Sequence, residues 1–292
     1  MTKLLVIVGP TAIGKTSLSI KLAQIFNGSI ISGDSIQVYK ELNIGTGKIT
    51  KEETKNIKHY GIDIIDFKNN YNIYQFKKDT KNYINEIKKE NKLPIVVGGS
   101  GLYLNALLYD YNLKETTNNS NYEHLTNQQI YNLLQKHDPL SLNNIHINNR
   151  KRLLRALTLS LENNNISSTI NNKLVYDTLI IGLTTTREKL YQKINKRVDI
   201  MFEEGLVKEI DQLIEKGFTF DLLSSQGIGY KEFENYYQKQ ITLDQVKELI
   251  KRNSRRFAKK QYTWFNNKLN VNWYEYDNEK DIIEKVNTWI NT

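Results

Sequence analysis

The sequence predicts an α/β fold: a P-loop, doubly wound parallel sheet core carrying a helical insertion domain. Three observations predict it. A buried-strand run, "KLLVIV", passes through a glycine-bracketed loop into a helical apolar stripe. Further apolar runs ("GSIIS", "LPIVV", "TLIIGLT") then alternate with amphipathic helical stretches, the signature of parallel strands joined by crossover helices. Finally, a polar, asparagine-rich helical stretch interrupts that alternation, placing the core at residues 1–112 and 174–292 and the insertion at 113–173.

The first element sets the chemistry. Gly9, Pro10, Thr11, Ala12, Ile13, Gly14, Lys15 and Thr16 fit G-x-x-x-x-G-K-[ST] without a gap. Leu18, Leu22, Ile25 and Phe26 continue as an apolar stripe at helical spacing. In such a loop the backbone N–H groups converge on an oxyanion and the helix N-terminus adds positive potential; Lys15 neutralises charge and the Thr16 hydroxyl ligates Mg²⁺. The bland alternative is an ordinary strand-to-helix turn with a stray lysine, and the correct flanks on both sides favour the phosphate site.

The second strand, within "GSIISGDS", ends at Asp34. A helical stretch at about 73–90 leads to "KLPIVVGGSGLY", a third strand breaking into glycines and then the helix "LYLNALLY". Loops 9–16, 33–37 and 98–103 thus all fall at carboxyl ends of strands, where ligands gather in such sheets. Asparagine clusters at 118–121, 143–144, 148–149 and 163–165 read as loops of the insertion, and "YDTLIIGLTTTRE" returns as a buried strand.

Composition bounds the function. The chain has 292 residues and no cysteine, so disulfides, thiolate chemistry and Cys-based zinc sites are excluded. Four scattered histidines, His59 and His146 among them, lack metal-ligand spacing. No apolar run approaches the ~20 residues of a membrane span and no charged leader precedes the first strand, so a cytoplasmic protein with no membrane partner is expected. A net charge of +9 favours a polyanionic partner. Oligomeric state leaves no mark in the sequence, and a monomer is the default expectation.

Kinases and ATPases usually place an aspartate at the end of an apolar strand to organise the metal. Here "LPIVV" ends in Gly98 and Gly99, and "IDIID" offers Asp63 and Asp66, alternating acids in a short strand that read as edge or salt-bridge groups. Asp34 instead stands beside the loop. An acid there repels phosphate unless Mg²⁺ intervenes or the acid serves a second substrate as general base; the alternative is an N-cap for a following short helix. Arg197 shares the apolar stripe of its helix with Leu190, Ile194 and Met201, so its guanidinium needs an anion, either an internal carboxylate or a bound diphosphate.

"GPTAIGKT", "DSIQVYKELNIGTGK", "VVGGSGLYLNALL", "REKLYQKINKRVDIMFEEGLVKEI", "QGIGYKE" and "RRFAKKQYTWF", in this order from residue 9 to 265, together resemble the tRNA dimethylallyltransferases (isopentenyl-tRNA transferases). The resemblance implies transfer of a dimethylallyl group from dimethylallyl diphosphate to N6 of the adenosine 3′ of the anticodon. The loop would then hold the diphosphate of an isoprenoid, with Mg²⁺ as cofactor, dimethylallyl diphosphate and the tRNA anticodon loop as partners, and Asp34, Lys15, Thr16 and Arg197 as the catalytic set. It implies that Thr11, Ser35 and Gln37 border this site, that Ser35, Ile36, Gln37 and Val38 touch the target nucleotide beside Asp34, and that Ser100 contributes to both substrate sites. It also favours the diphosphate clamp for Arg197.

With tRNA implied, two basic stretches gain a purpose. "NNRKRLLRAL" carries Arg150, Arg152 and Arg155 on a helix whose Leu153, Leu154, Leu157 and Leu161 face its core. "KRNSRRFAKKQ" aligns Arg252, Arg256 and Lys259 at i, i+4 and i+7, near Tyr262, Trp264 and Phe265. Each could be only a solvated helix face. Tyr103, beside the glycine turn, reads as an aromatic packing on the following helix. Departures from the family pattern (Ser100 for Thr, "GTGK" without the usual Ala and Pro, "INN" for "PND", Thr158 for Glu, Asn266 for Arg) touch no proposed catalytic group. A P-loop small-molecule kinase and an adenylate isopentenyltransferase acting on free nucleotide remain the alternatives.

Overall fold

A computed structural model of the chain describes all residues except 68, 70, 112, 114–121, 162–172 and 226, and the side chains at 144, 224 and 225. The asparagine clusters at 118–121 and 163–165, and the first residue of "QGIGYKE", lie outside the described residues.

Six strands form one parallel sheet: β1 (Lys3–Val8), β2 (Gly28–Ser32), β3 (His59–Tyr60), β4 (Leu93–Val97), β5 (Asp177–Thr184) and β6 (Asn272–Glu275), in the order β3-β2-β4-β1-β5-β6. β1 is central, its Leu5 opposite Ile95 on one side and Leu179 on the other. Strands covered on both faces carry continuous apolar runs, and Leu4 to Val8 are fully buried. The crossovers include α1 (Lys15–Ile25), α2 (Ile73–Lys89) and α3 (Gly101–Leu108). The Asn72 side chain caps α2, accepting from the backbone N–H groups of Tyr74 and Gln75, while Gln75 returns a bond to Asn72 N.

The chain divides into two compact units, residues Met1–Asn105 with Tyr176–Thr292, and Ala106–Val175. The smaller unit holds α4 (Asn127–His137) and α5 (Arg150–Leu161), whose Ile130, Leu134, Leu153, Ala156 and Leu157 form its own core. The larger unit also holds α6 (Arg187–Glu203), α7 (Leu206–Glu215), α8 (Phe220–Ser225), α9 (Glu234–Tyr237), α10 (Leu243–Lys268) and α11 (Glu279–Ile290). One cluster there packs β1, β4 and β5 against α1, α6 and α11. Another joins Val38, Tyr39 and Leu42 to Val198, Leu206, Ile210, Tyr230, Phe233, Val246 and Ile250.

Several expectations need correction. Ile25 and Leu161 end their helices with 48% and 39% exposure rather than facing the core. "IDIID" is not a strand: Asp63 has a φ of +54°, and only Ile65 makes an isolated bridge, to Tyr39. Its acids do pair with lysines, Asp63 with Lys48 at 2.5 Å and Asp66 with Lys40 at 3.0 Å. No helix follows Asp34; residues 35–38 turn without one.

Candidate active site

The carboxyl ends of β1, β2 and β4 converge because glycines let them. A Cβ on Gly98 would overlap the Gly33 carbonyl and come within 2.7 Å of Gly33 Cα, so neither chain could keep its course with a side chain there. Gly33 N donates to Val97 O at 2.7 Å, drawing the β2 and β4 ends together. Between these ends and the loop after β1 lies a cavity of about 280 Å³, lined by Thr11 to Thr16, Ser32, Asp34, Gln37, Thr46, Gly47, His59, Gly98, Gly99, Arg197, Phe257 and Gln261, with Ser19, Ile30, Ile49, Ile62 and Val97.

The phosphate-loop geometry follows from its residues. Gly14, in the left-handed region at φ +114°, stands at the N-cap of α1, and Ala12 joins it at φ +63°. Lys15 folds back, Nζ donating to Gly9 O at 2.9 Å and Pro10 O at 2.8 Å. The Lys15 pKa is lowered from 10.5 to about 7, chiefly by burial and secondarily by the neighbouring Arg197, against the opposing pull of Asp34. Gly9 and Pro10 therefore serve through carbonyls that hold Lys15, and they do not line the cavity. Ile13 lines the cavity but is fully buried, and its side chain belongs to the core cluster. Thr16 is exposed at the cavity.

Arg197 enters from α6. Its Nη1 donates to Thr11 Oγ1 at 3.3 Å and its Nη2 to Thr46 O at 3.1 Å, both neutral acceptors. Burial pulls its pKa below the usual arginine value, against the opposing pull of Asp34 and Glu53. The internal-carboxylate alternative thus has no hydrogen-bonded acid among the described residues: Asp34 and Glu53 act on Arg197 only at a distance, and a buried cation at the cavity wall is left without a directly bonded anion. Asp34 lines the same cavity; its Oδ1 accepts from Ile36 N at 2.9 Å, a local turn that orients the carboxylate and takes the place of the helix cap. Gln37 also lines it, its Nε2 donating to Gly47 O at 3.4 Å and its Oε1 accepting from Ser32 Oγ at 3.2 Å.

Other expected residues fall elsewhere. Val38 is 1% exposed and belongs to the core with Tyr39 and Leu42, so its side chain does not reach a nucleotide. Ser35, Ile36 and Ser100 do not line the cavity, and Ser100 O accepts from Tyr103 N and Leu104 N as α3 begins. Arg150 spends its guanidinium on the start of α4, donating to Leu125 O at 2.8 Å, Asn127 Oδ1 at 3.0 Å and Glu123 O at 2.5 Å; it staples the helical unit. Arg152 and Arg155 are exposed on α5, and Arg252, Arg256 and Lys259 form an exposed row on α10. Phe265 is fully buried, and Tyr262 is half-buried against Trp273, its hydroxyl donating to Thr184 Oγ1; neither presents a free ring. Tyr103 packs on Phe76 at 4.9 Å.

Sequence reasoning missed Gln261, Thr46 and Phe257. Gln261 lies on the buried stripe of α10 with Val246, Ile250, Ala258 and Phe265, the signal that singled out Arg197. Phe257, 42% exposed at the cavity wall beside Arg256, has no such mark.

The IPP transferase family model matches residues 37–268, most of the chain. The chain belongs to the IPP transferase family. A tRNA dimethylallyltransferase of Staphylococcus haemolyticus (strain JCSC1435) is 43% identical over 99% of this chain and 92% of its own length. That of Staphylococcus aureus (strain JH9) is 44% identical over 94% and 93%. Among solved structures, the tRNA delta(2)-isopentenylpyrophosphate transferase of Staphylococcus epidermidis shares 42% identity, with a TM-score of 0.74 and coverage of 100% and 99%. A eukaryotic dimethylallyltransferase acting on tRNA gives a TM-score of 0.83 at 31% identity, covering 100% of this chain and 80% of that one. The likeness spans both compact units.

Proposed function

We propose that this protein is a prenyltransferase that moves a dimethylallyl group from dimethylallyl diphosphate to N6 of the adenosine 3′-adjacent to the anticodon in tRNA, releasing diphosphate. One observation carries the assignment of parts: Lys15, Arg197 and Asp34, distant in sequence, line one cavity at the strand ends. Two cations suit a leaving diphosphate, and the carboxylate suits a proton acceptor.

In this reading the N–H groups of Gly14, Lys15 and Thr16 receive the diphosphate at the start of α1. Lys15 turns from its two carbonyls to the phosphate oxygens, and Arg197, held by Thr11 Oγ1 and Thr46 O, offers them its remaining N–H groups; together they offset the charge that grows as the C–O bond to the allylic carbon breaks. The N6 amine attacks that carbon, and its proton passes to the free oxygen of Asp34, whose other oxygen stays with Ile36 N. Gln37, on the same wall, is placed to contact the base.

The donors also fit Mg²⁺. Thr16, exposed and lining the cavity, carries a hydroxyl that can ligate it, and no cluster of three or more His, Cys, Asp or Glu forms a cage among the described residues. Mg²⁺ typically takes one or two protein oxygens and completes its shell with water and phosphate. When bound it would supply charge neutralisation at the diphosphate. The exposed basic rows of α5 (Arg152, Arg155) and α10 (Arg252, Arg256, Lys259) are read as phosphate-backbone contacts to tRNA. The target base must leave its stack to reach the cavity, which a single-stranded loop permits at modest cost. The reading keeps a monomeric, cytoplasmic enzyme with no membrane attachment.

The test is to incubate the protein with labelled dimethylallyl diphosphate and Mg²⁺, offering unmodified tRNA, AMP or ATP with candidate phosphate acceptors in parallel. Label in tRNA alone supports the proposal. Label in AMP transfers the chemistry to a free nucleotide, and ATP-dependent phosphorylation without prenyl transfer overturns it.

A further inference from the structure

Glu209 is a buried carboxylate, 8% exposed, that has no place in the chemistry above. It falls on the apolar stripe of α7 with Leu206, Ile210 and Leu213, where an acid is costly unless its oxygens are occupied. They are occupied by neutral donors: Oε2 accepts from Ile44 N at 2.7 Å, and Oε1 from Gly45 N at 3.1 Å and from the Tyr230 hydroxyl at 2.8 Å.

Those donors belong to the turn that seats Arg197. Thr46 supplies the carbonyl for Arg197 Nη2. At Gly47 a Cβ would collide with the guanidinium, so the bare backbone is the wall against which that group lies. Gly47 closes the turn by donating to Ile44 O at 2.9 Å, and its positive φ of +57° keeps that shape. From the other side, Tyr230 lies so close to Gly45 that a Cβ there would overlap its ring, and a Cβ on Gly229 would meet Gly45 O at 2.9 Å. Burial and the Glu209 carboxylate push the Tyr230 phenol far above its usual range, which keeps it a donor. Three sequence stretches without a stated job, "GTGK", "GLVKEI" and "GIGY", thus meet at one carboxylate.

We propose that Glu209 is a positioning residue: by holding the Ile44–Gly47 turn, it fixes the Arg197 guanidinium where a diphosphate binds. Glu209 touches no substrate. Its effect passes through two backbone N–H bonds to the turn, then through the Thr46 carbonyl and the Gly47 wall to the arginine. The inference rests on the reading of Arg197 as a diphosphate ligand.

The experiment compares Glu209→Gln, Tyr230→Phe, Arg197→Ala and the Glu209→Gln/Arg197→Ala double variant, reading steady-state prenyl transfer to tRNA and thermal unfolding. The glutamine amide would point an N–H at a donor, displacing the turn while preserving bulk. The expected result is an increase of about tenfold or more in KM for dimethylallyl diphosphate, an unchanged KM for tRNA, and a smaller shift of the same kind for Tyr230→Phe. In the Arg197→Ala background the Glu209→Gln effect on that KM should vanish, while its effect on unfolding temperature persists. A Glu209→Gln enzyme with wild-type KM, or an effect that adds in full to Arg197→Ala, overturns the proposal. If Glu209→Gln does not fold, Tyr230→Phe in both backgrounds decides by the same criteria. Failure of the underlying reading would look different: the wild type itself would transfer no prenyl group to tRNA, or Arg197→Ala would leave diphosphate binding intact.

Discussion

Gln261 and Thr11 are 250 positions apart in sequence, yet the Gln261 Oε1 accepts the Thr11 backbone N–H at 2.9 Å. The same amide donates from Nε2 to Gly99 O at 3.2 Å, so one side chain ties the loop after β1 to the glycine turn after β4. Thr11 is therefore held twice, by Gln261 through its backbone and by Arg197 through its hydroxyl. Replacing Gln261 by Leu leaves the Thr11 N–H without this acceptor and should destabilise the protein by about 1–3 kcal/mol. It should also raise KM for dimethylallyl diphosphate. Gln261→Glu keeps the acceptor and loses the donor, so it should fall between. Both variants binding diphosphate as the wild type does would remove Gln261 from the loop's support.

Lys15 gives the cavity a pH dependence. Its pKa stands at about 7, lowered from 10.5 chiefly by burial and secondarily by Arg197. Because the native pKa lies below that of the unfolded chain, the unfolded chain binds more protons between about pH 7 and the ordinary lysine range, and the ligand-free protein should gain stability as pH rises through that window. A bound diphosphate needs the ammonium, so binding above pH 7 must draw in a proton. Calorimetry of diphosphate binding at pH 8, in two buffers of different ionisation enthalpy, should show that uptake in the wild type and lose most of it in Lys15→Met. Equal uptake by the two proteins would show that Lys15 is already charged.

The glycine contact at the strand ends sets a stability prediction. Gly98→Ala drives a Cβ into the backbone of Gly33, which cannot rotate away as a side chain would. Overpacking of this kind costs about 1–3 kcal/mol or more, and at roughly 2–4 °C per kcal/mol for a chain of this size the melting temperature should fall measurably. Gly33→Ala meets first the tip of Leu104, at 3.0 Å, which can move, so its loss should be smaller. The reverse ranking in thermal unfolding would contradict this account of the cleft's floor.

What the sequence revealed and what it hid divide along physical lines. Strand runs buried on both faces, the phosphate loop and the alternation with helices are local and periodic, so β1, α1, β2, α2, β4 and β5 were readable within a few residues. Arg197 was readable because a cation on an apolar stripe breaks a pattern. Gln261 and Glu209 break the patterns of α10 and α7 in the same way, but an amide or acid on a stripe draws less notice than a guanidinium. Thr46 acts through its carbonyl, which every residue has. Val38 sits in a turn without period, so nothing local told that it enters a core cluster and not the cleft. Arg150 shared a basic run with exposed neighbours, and only the fold reveals that its donors end on the α4 N-terminal segment.

Asp34 bears on both halves of the proposed reaction, and one substitution separates them. Asp34→Asn keeps an oxygen for Ile36 N, so the turn should survive, but it removes the proton acceptor. The transfer rate should drop by about 10²–10⁴-fold. Diphosphate binding should respond differently. Well below the wild-type Lys15 pKa of about 7, where the lysine holds its proton, removing a carboxylate chiefly removes repulsion, and the variant should bind diphosphate at least as tightly as the wild type. Asp34 also raises the Lys15 pKa, so without it the lysine loses its proton at lower pH. The ratio of variant to wild-type affinity should therefore decline from pH 6 to pH 8. A ratio that is flat or rising across that interval would mean that the Asp34 charge does not reach Lys15 in solution, and a variant that transfers prenyl groups at the wild-type rate would remove Asp34 from the chemistry.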